Sequence, residues 1–211
     1  MDHSLTPIER HIHDRDPVLL PKKTPPLPPP PQTTPEELEE VSRHQQEAAH
    51  DPVRSIMIKM FDQSFTDDFL KLLPEGSAHL FRPLLELLQH DCTTLLYREK
   101  LLHGRPRPKV WAKKHGIPFK AYELNTERNP SYPSYHAATS RLIAHALSEV
   151  FPHRAELFEK LAKSIAHSRV DAGVHFPSDI QAGFKWADQT WAQAKASGLR
   201  VDKLITVEDV A

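Results

Sequence analysis

Apolar residues along this chain recur three and four positions apart, the spacing that gathers side chains on one face of an α-helix. Leu142, Ile143, Ala146, Leu147 and Val150 form one stripe, closed by Pro152. Leu157, Phe158, Leu161, Ala162 and Ile165 form a second, which leads to Arg169 and stops near Gly173. A third opens around Pro177-Ser178-Asp179 and runs through Ile180, Phe184, Ala187, Trp191 and Ala194 until Gly198. Between Ser77 and His103, leucines at 80, 84, 85, 87, 88, 95, 96 and 101 are spaced as a helical pair, or as one helix bent at Pro83. Thr34 suits an N-cap, Pro35 the first helical position, and Glu36, Glu37 and Glu39 the positive helix start. Further helices are expected near 52–61 and 66–73. No convincing alternating strand accompanies these stripes, so the fold class expected is all-α, a helical bundle.

Two stretches break the pattern. Residues 105–133 contain Pro106, Pro108, Gly116, Pro118, Pro130 and Pro133, too many breakers for a regular element, and read as a long functional loop after the stop at Gly104. Residues 1–34 include Pro25-Pro26-Leu27-Pro28-Pro29-Pro30-Pro31 and read as a disordered or extended arm with polyproline II character. Such a run can recruit SH3 or WW modules, although a stiff extension laid over the surface is the more economical expectation. The catalytic body is then expected over 35–200, with 201–211 as a tail.

Composition narrows the function. With 211 residues and 39% hydrophobic content the chain can bury one sizeable core. Its 27 basic and 28 acidic residues nearly cancel, which argues against a broad nucleic-acid surface and confines any strong positive potential to one place. Cys92 is the single cysteine, so no intrachain disulfide forms. Neither a signal-peptide pattern nor an apolar run long enough to span a membrane is present, and the expectation is a soluble cytoplasmic protein.

Three short motifs carry the chemistry. Lys100 is followed after six residues by Arg107-Pro108; Pro133-Ser134-Tyr135-His136 comes next; Ser168-Arg169 precedes His175 and Asp179 at fixed intervals. Together they supply three fixed cations, a hydroxyl, two imidazoles and a carboxylate, an inventory for holding and transferring a tetrahedral oxyanion. All sit at helix ends, where backbone donors are unspent. A helix starting after Ser134 would turn the N–H groups of Tyr135 and His136 toward a phosphate. Asp179, in the first turn of its helix, comes within reach of His175; a carboxylate accepting from Nδ1–H leaves Nε2 as the nucleophile. Taken singly, each residue also has an ordinary role: Ser134 as N-cap, Asp179 against the helix dipole, Lys100 and Arg107 on a solvated face.

As a set, the motifs resemble the signature of the type 2 phosphatidic acid phosphatase superfamily, which also holds bacterial class A acid phosphatases and vanadium haloperoxidases. That signature reads K-x6-R-P, P-S-G-H and S-R-x5-H-x3-D, and the resemblance covers roughly residues 95–185. It implies that Lys100, Arg107 and Arg169 bind phosphate oxygens with help from Ser134, that His175 attacks phosphorus to form a phosphohistidine, that Asp179 orients His175, and that His136 serves as acid and then base. The expected activity is metal-independent hydrolysis of a small water-soluble phosphomonoester, with no cofactor and with vanadate as inhibitor. Two alternatives accompany it: a haloperoxidase using vanadate as cofactor, and a phosphate-binding scaffold weakened in turnover. The sequence departs from the signature at Tyr135, where glycine is usual; a positive φ there would strain the site, whereas a negative φ lets the ring stand aside or wall the pocket. Lys120, Tyr122 and Arg128 are expected near the entrance. His103, His115, His145 and His167 have no spacing that suggests a metal site.

Overall fold

The computed structural model describes residues 16–124 and 129–205, the side chain of Gln63 excepted. Arg128 therefore lies outside the described residues. The helices are α1 (Pro35–Ala49), α2 (Pro52–Gln63), α3 (Thr66–Leu70), α4 (Ala78–His103), α5 (Pro108–Lys114), α6 (Tyr135–Val150), α7 (Ala155–Asp171) and α8 (Pro177–Ala196), with 3₁₀ turns at Pro152–Arg154 and Val201–Lys203. The described residues are helix and loop throughout, an all-α bundle.

Local signals set most boundaries. Thr34 caps α1, its Oγ1 accepting from the Glu37 N–H at 3.4 Å, and Pro35 opens it. Asp51 caps α2 by accepting from the N–H groups of Val53 and Arg54. The leucine-rich stretch is one helix rather than a pair: Pro83 falls near its start, where one backbone bond is forfeited, and the remaining turns run on to His103. Gly104 ends α4 with φ 57°, a left-handed conformation natural to glycine, and donates to the Lys100 carbonyl at 2.9 Å.

α6 is the central element, packed chiefly on α7 and α8 and then on α4. It is built for enclosure: Ala137, Ala138, Thr139 and Ser140 are small and buried, which lets neighbours approach closely, while Leu142, Ile143 and Leu147 fill the core. α1 and α2 pack on α7, and α3 on α4. At Gly183 the backbone of α8 meets that of α6, where an added Cβ would stand 2.6 Å from the Ser134 carbonyl oxygen.

Two expectations need correction. The 105–133 stretch contains α5, because Pro108 with its preset φ starts a helix at N1 rather than breaking one. Trp111 and Ala112 are buried in one apolar cluster with Leu38 and Val41 of α1. Leu157, placed in the α7 stripe, is 49% exposed; the buried face runs through Phe158, Ala162, Ile165 and Ala166. Residues 16–34 are extended but hold more apolar contact than their composition suggests, with Leu20 and Leu27 both in the core. Asp91 on α4 accepts three backbone N–H bonds, from Val18, Leu19 and Leu20, at 2.7, 2.6 and 2.8 Å. The Pro28 carbonyl accepts from the Tyr132 hydroxyl at 2.9 Å. Among the described residues, no helix is long and apolar enough to cross a membrane.

Candidate active site

The ends of α4, α6 and α7 and the loop before α8 converge on a cavity of about 290 Å³ lined in part by Lys100, Arg107, Tyr135, His136, Arg169 and His175. Six of the eight candidate residues thus line one cavity. Ser134 and Asp179 stand behind it, both fully buried.

Lys100, on the last turn of α4, is buried and donates through Nζ to the carbonyls of Pro130 at 2.7 Å and Ser131 at 3.3 Å. The turn at Gly104 sends the chain back, so that Arg107 reaches the cavity from the start of α5. Its Nε donates to the Asn129 carbonyl at 2.8 Å, Nη2 to Asn129 Oδ1 at 3.0 Å, and Nη1 to the Val174 carbonyl at 2.8 Å. Arg169, on the last turn of α7, is tied to α2 through the Ile58 carbonyl at 2.5 Å and Asp62 at 3.3 Å. Burial lowers its pKa to about 10, so it stays charged at neutral pH. Burial and the neighbouring Arg107 hold Lys100 well below the usual lysine range.

His175 has a defined tautomer. Arg107 can only donate, and its Nη1 lies 3.2 Å from His175 Nε2, so Nε2 carries the lone pair. The ring hydrogen then resides on Nδ1, which donates to Asp179 Oδ2 at 3.2 Å. Burial, followed by the charges of Arg107, Lys100 and Arg169, pushes the His175 pKa well down and keeps the ring neutral. Asp179 is itself fixed: Oδ2 accepts from the Phe176 N–H at 2.9 Å and Oδ1 from Arg105 Nη1 at 2.7 Å. Burial raises its pKa and Arg105 opposes the rise.

His136 is depressed by burial and then by Arg169 and His175. Its Nε2 lies 3.2 Å from the Phe61 carbonyl, an acceptor, so that nitrogen carries the hydrogen. Ser134 fills the N-cap role, its hydroxyl accepting from the Ala137 N–H at 3.4 Å, while its own N–H donates to the Asp179 carbonyl at 3.0 Å. Tyr135 occupies the first position of α6, and positive φ is confined to glycines among the described residues, so the ring sits on an unstrained backbone.

Neither Lys120 nor Tyr122 lines this cavity. Their segment runs along α1 and the end of α7, with the Lys120 carbonyl accepting from Gln45 and the Tyr122 N–H donating to Ala172. The loop residue that does take part is Asn129. Arg105 was also missed; it lies inside the six-residue spacer, and its proximity to Arg107 in an otherwise neutral chain was the available signal. Its guanidinium bridges Asp179 to Glu37 of α1, at 2.7 Å each, and bonds Ser178 and Thr33 as well.

Comparison with known proteins finds relatives in sequence and in fold. The non-specific acid phosphatase of Salmonella typhimurium is 41% identical over 113 residues, covering 54% of this chain and 45% of that protein. The non-specific acid phosphatase of Salmonella typhi is 31% identical over 113 residues with the same coverage. The chain thus spans about half the length of these relatives or less. In fold, it is similar to a bacterial vanadium-dependent iodoperoxidase, with a TM-score of 0.65 at 20% identity over 93% of this chain and 60% of that one. A family model described as the PAP2 superfamily matches residues 84–187, a span that holds all eight candidate residues. The family model, the motifs and the sequence relatives support assignment of the chain to the PAP2 superfamily, and the structural neighbour is similar to it in fold.

Proposed function

We propose that the protein is a metal-independent phosphatase that hydrolyses phosphomonoesters through a phosphohistidine at His175. The observation that carries the reading is the tautomer of His175: a neutral ring, hydrogen on Nδ1 toward Asp179 and lone pair on Nε2, facing a pocket that also holds Lys100, Arg107 and Arg169. A phosphoryl dianion entering there replaces the Arg107 contact at Nε2 and is held by the three cations. Nε2 forms the bond to phosphorus as the ester oxygen leaves, and Asp179 stabilises the imidazolium produced. The entering dianion offsets the surrounding cations and lets His136 take up a proton on Nδ1, Nε2–H being committed to Phe61, and this Nδ1 proton passes to the departing oxygen. The same residue then takes a proton from the water that attacks the phosphohistidine, releasing phosphate and restoring Nε2.

The acid phosphatase relatives support this activity, and the fold shared with an iodoperoxidase makes halide oxidation the reaction to test beside it. Purified protein is assayed with an aryl phosphate in the presence of chelator, then with vanadate. Turnover insensitive to chelator, inhibited by vanadate and abolished in His175→Ala is the expected result. Full hydrolysis by His175→Ala would overturn the assigned nucleophile. Halide oxidation after vanadate loading, with no phosphatase turnover, would replace the reading by the peroxidase alternative.

A further inference from the structure

The cavity lining is of two kinds. Besides the cations and histidines it carries Leu96, Tyr97 and Tyr135, together with Thr93. Tyr135 occupies the position after Ser134, where its backbone starts α6 and its ring projects into space that a glycine would leave open. The ring is pinned: its hydroxyl lies 3.3 Å from Thr93 Oγ1 and 3.5 Å from the Gln89 carbonyl, both on α4. It also stands edge-on to His136, with ring centroids 5.8 Å apart and planes at 89°. Burial pushes its phenol up to about 12, so it stays neutral at working pH.

From this geometry, and resting on the phosphatase reading for the identity of the reacting group, we propose that the pocket selects phosphomonoesters whose leaving group is compact and apolar, an aryl or arylalkyl alcohol, and that Tyr135 determines the selection. Four observations converge. The volume is at the small end of ligand sites and suits a phosphate with one ring beside it. The part of the lining made by Leu96, Tyr97 and Tyr135 is hydrocarbon and aromatic, and offers burial to a ring. The hydroxyls of Thr93 and Tyr135 are already bonded to each other, so a polyol placed there would lose water without regaining partners. Finally, the ring lies beside His136, the group assigned to protonate the leaving oxygen, which places the organic part of the substrate on Tyr135 whenever its phosphate is on the cations.

The test uses binding, so that it does not depend on turnover. Benzylphosphonate, 2,3-dihydroxypropylphosphonate and inorganic phosphate are titrated calorimetrically into wild type, Tyr135→Gly and Tyr97→Ser. Wild type is expected to bind benzylphosphonate about tenfold or more tightly relative to the dihydroxypropyl compound, the order of discrimination an apolar pocket gives for one buried group. Tyr135→Gly should cut that ratio by about tenfold, and Tyr97→Ser should cut it in the same direction by less. A ratio near one in wild type, or an unchanged ratio in Tyr135→Gly, overturns the proposal. Failure of the phosphatase reading looks different: the benzyl preference persists while neither benzyl phosphate nor glycerol phosphate is hydrolysed.

Discussion

Arg105 Nη1 donates to Asp179 Oδ1 at 2.7 Å, an ion pair whose side chains are only 3% and 0% exposed. The carboxylate that orients His175 thus has its charge balanced from behind rather than from within the pocket. Removing Arg105 would leave that charge buried and unpaired, a loss of about 3–5 kcal/mol by comparison with other broken buried pairs. Arg105→Ala is expected to unfold at correspondingly lower urea concentration. Arg105→Lys, which keeps the charge but not the fork that also holds Glu37, should fold with a reduced kcat and a pH-rate profile displaced on its acid side. An unaltered profile in Arg105→Lys would mean that Asp179 is positioned without it.

Protonation of the pocket gives a second prediction. Burial and surrounding cations hold His136 and His175 well below the ordinary histidine value of 6.5. Their contribution to stability is therefore complete above about pH 6.5 and is lost as pH falls through the depressed folded values, because the unfolded chain takes up protons first. Sulfate, a dianion across this range, would offset the cations and allow the imidazoles to accept protons. Its stabilising effect should grow as pH falls from 8 to 5.5, by about 3 °C in melting temperature for each additional kcal/mol in a chain of this size. Equal stabilisation by sulfate at both pH values would show that its binding is not coupled to these protons.

Gly183 gives a third. An added methyl would meet the Ser134 carbonyl oxygen at 2.6 Å, Ala137 Cβ at 2.9 Å and the Ala138 nitrogen at 3.2 Å, and backbone atoms have little freedom to yield. Gly183→Ala should force α8 away from the start of α6, at a cost of about 1–3 kcal/mol. Ser134 and Asp179 are joined across this same seam, so kcat should fall together with melting temperature. Retention of both would show that the seam relaxes freely.

Asp91 anchors the extended N-terminal stretch, and Asp91→Ala leaves three N–H groups without their acceptor. An unmet buried donor costs about 1–3 kcal/mol, so the stretch should detach in part. Limited proteolysis should then cut residues 16–34 at least tenfold faster than in wild type, a rate change of the size expected from about 1.4 kcal/mol in the opening equilibrium. Equal cleavage rates would place the anchorage elsewhere.

Much of this molecule was legible in its sequence, for local reasons. Thr34-Pro35, Gly104 and Ser134 mark helix ends through their own backbone chemistry, and the periodic stripes that follow them need no partner to be read. The three motifs were legible because their spacing is specific. What escaped depended on contacts made at a distance. Pro108 reads as a breaker until Trp111 is seen buried in one apolar cluster with Leu38 and Val41 of α1. Leu20 and Leu27 look too sparse for a core until α4 and α8 present surfaces to them. Arg105 looks like a second charge beside Arg107, and its task appears only when α1 and α8 bring Glu37 and Asp179 to either side of it. Tyr135 was visible as a departure, but its direction was not.

The bond between Ser178 and Glu37 joins positions 141 residues apart. A ribosome therefore delivers one half of that junction long before the other, and Glu37 on α1 must wait for Ser178 to arrive. The surroundings of Asp179 are completed only by this closing of distant ends, so competence for catalysis should be the last property the newborn chain acquires, after its helices have already met.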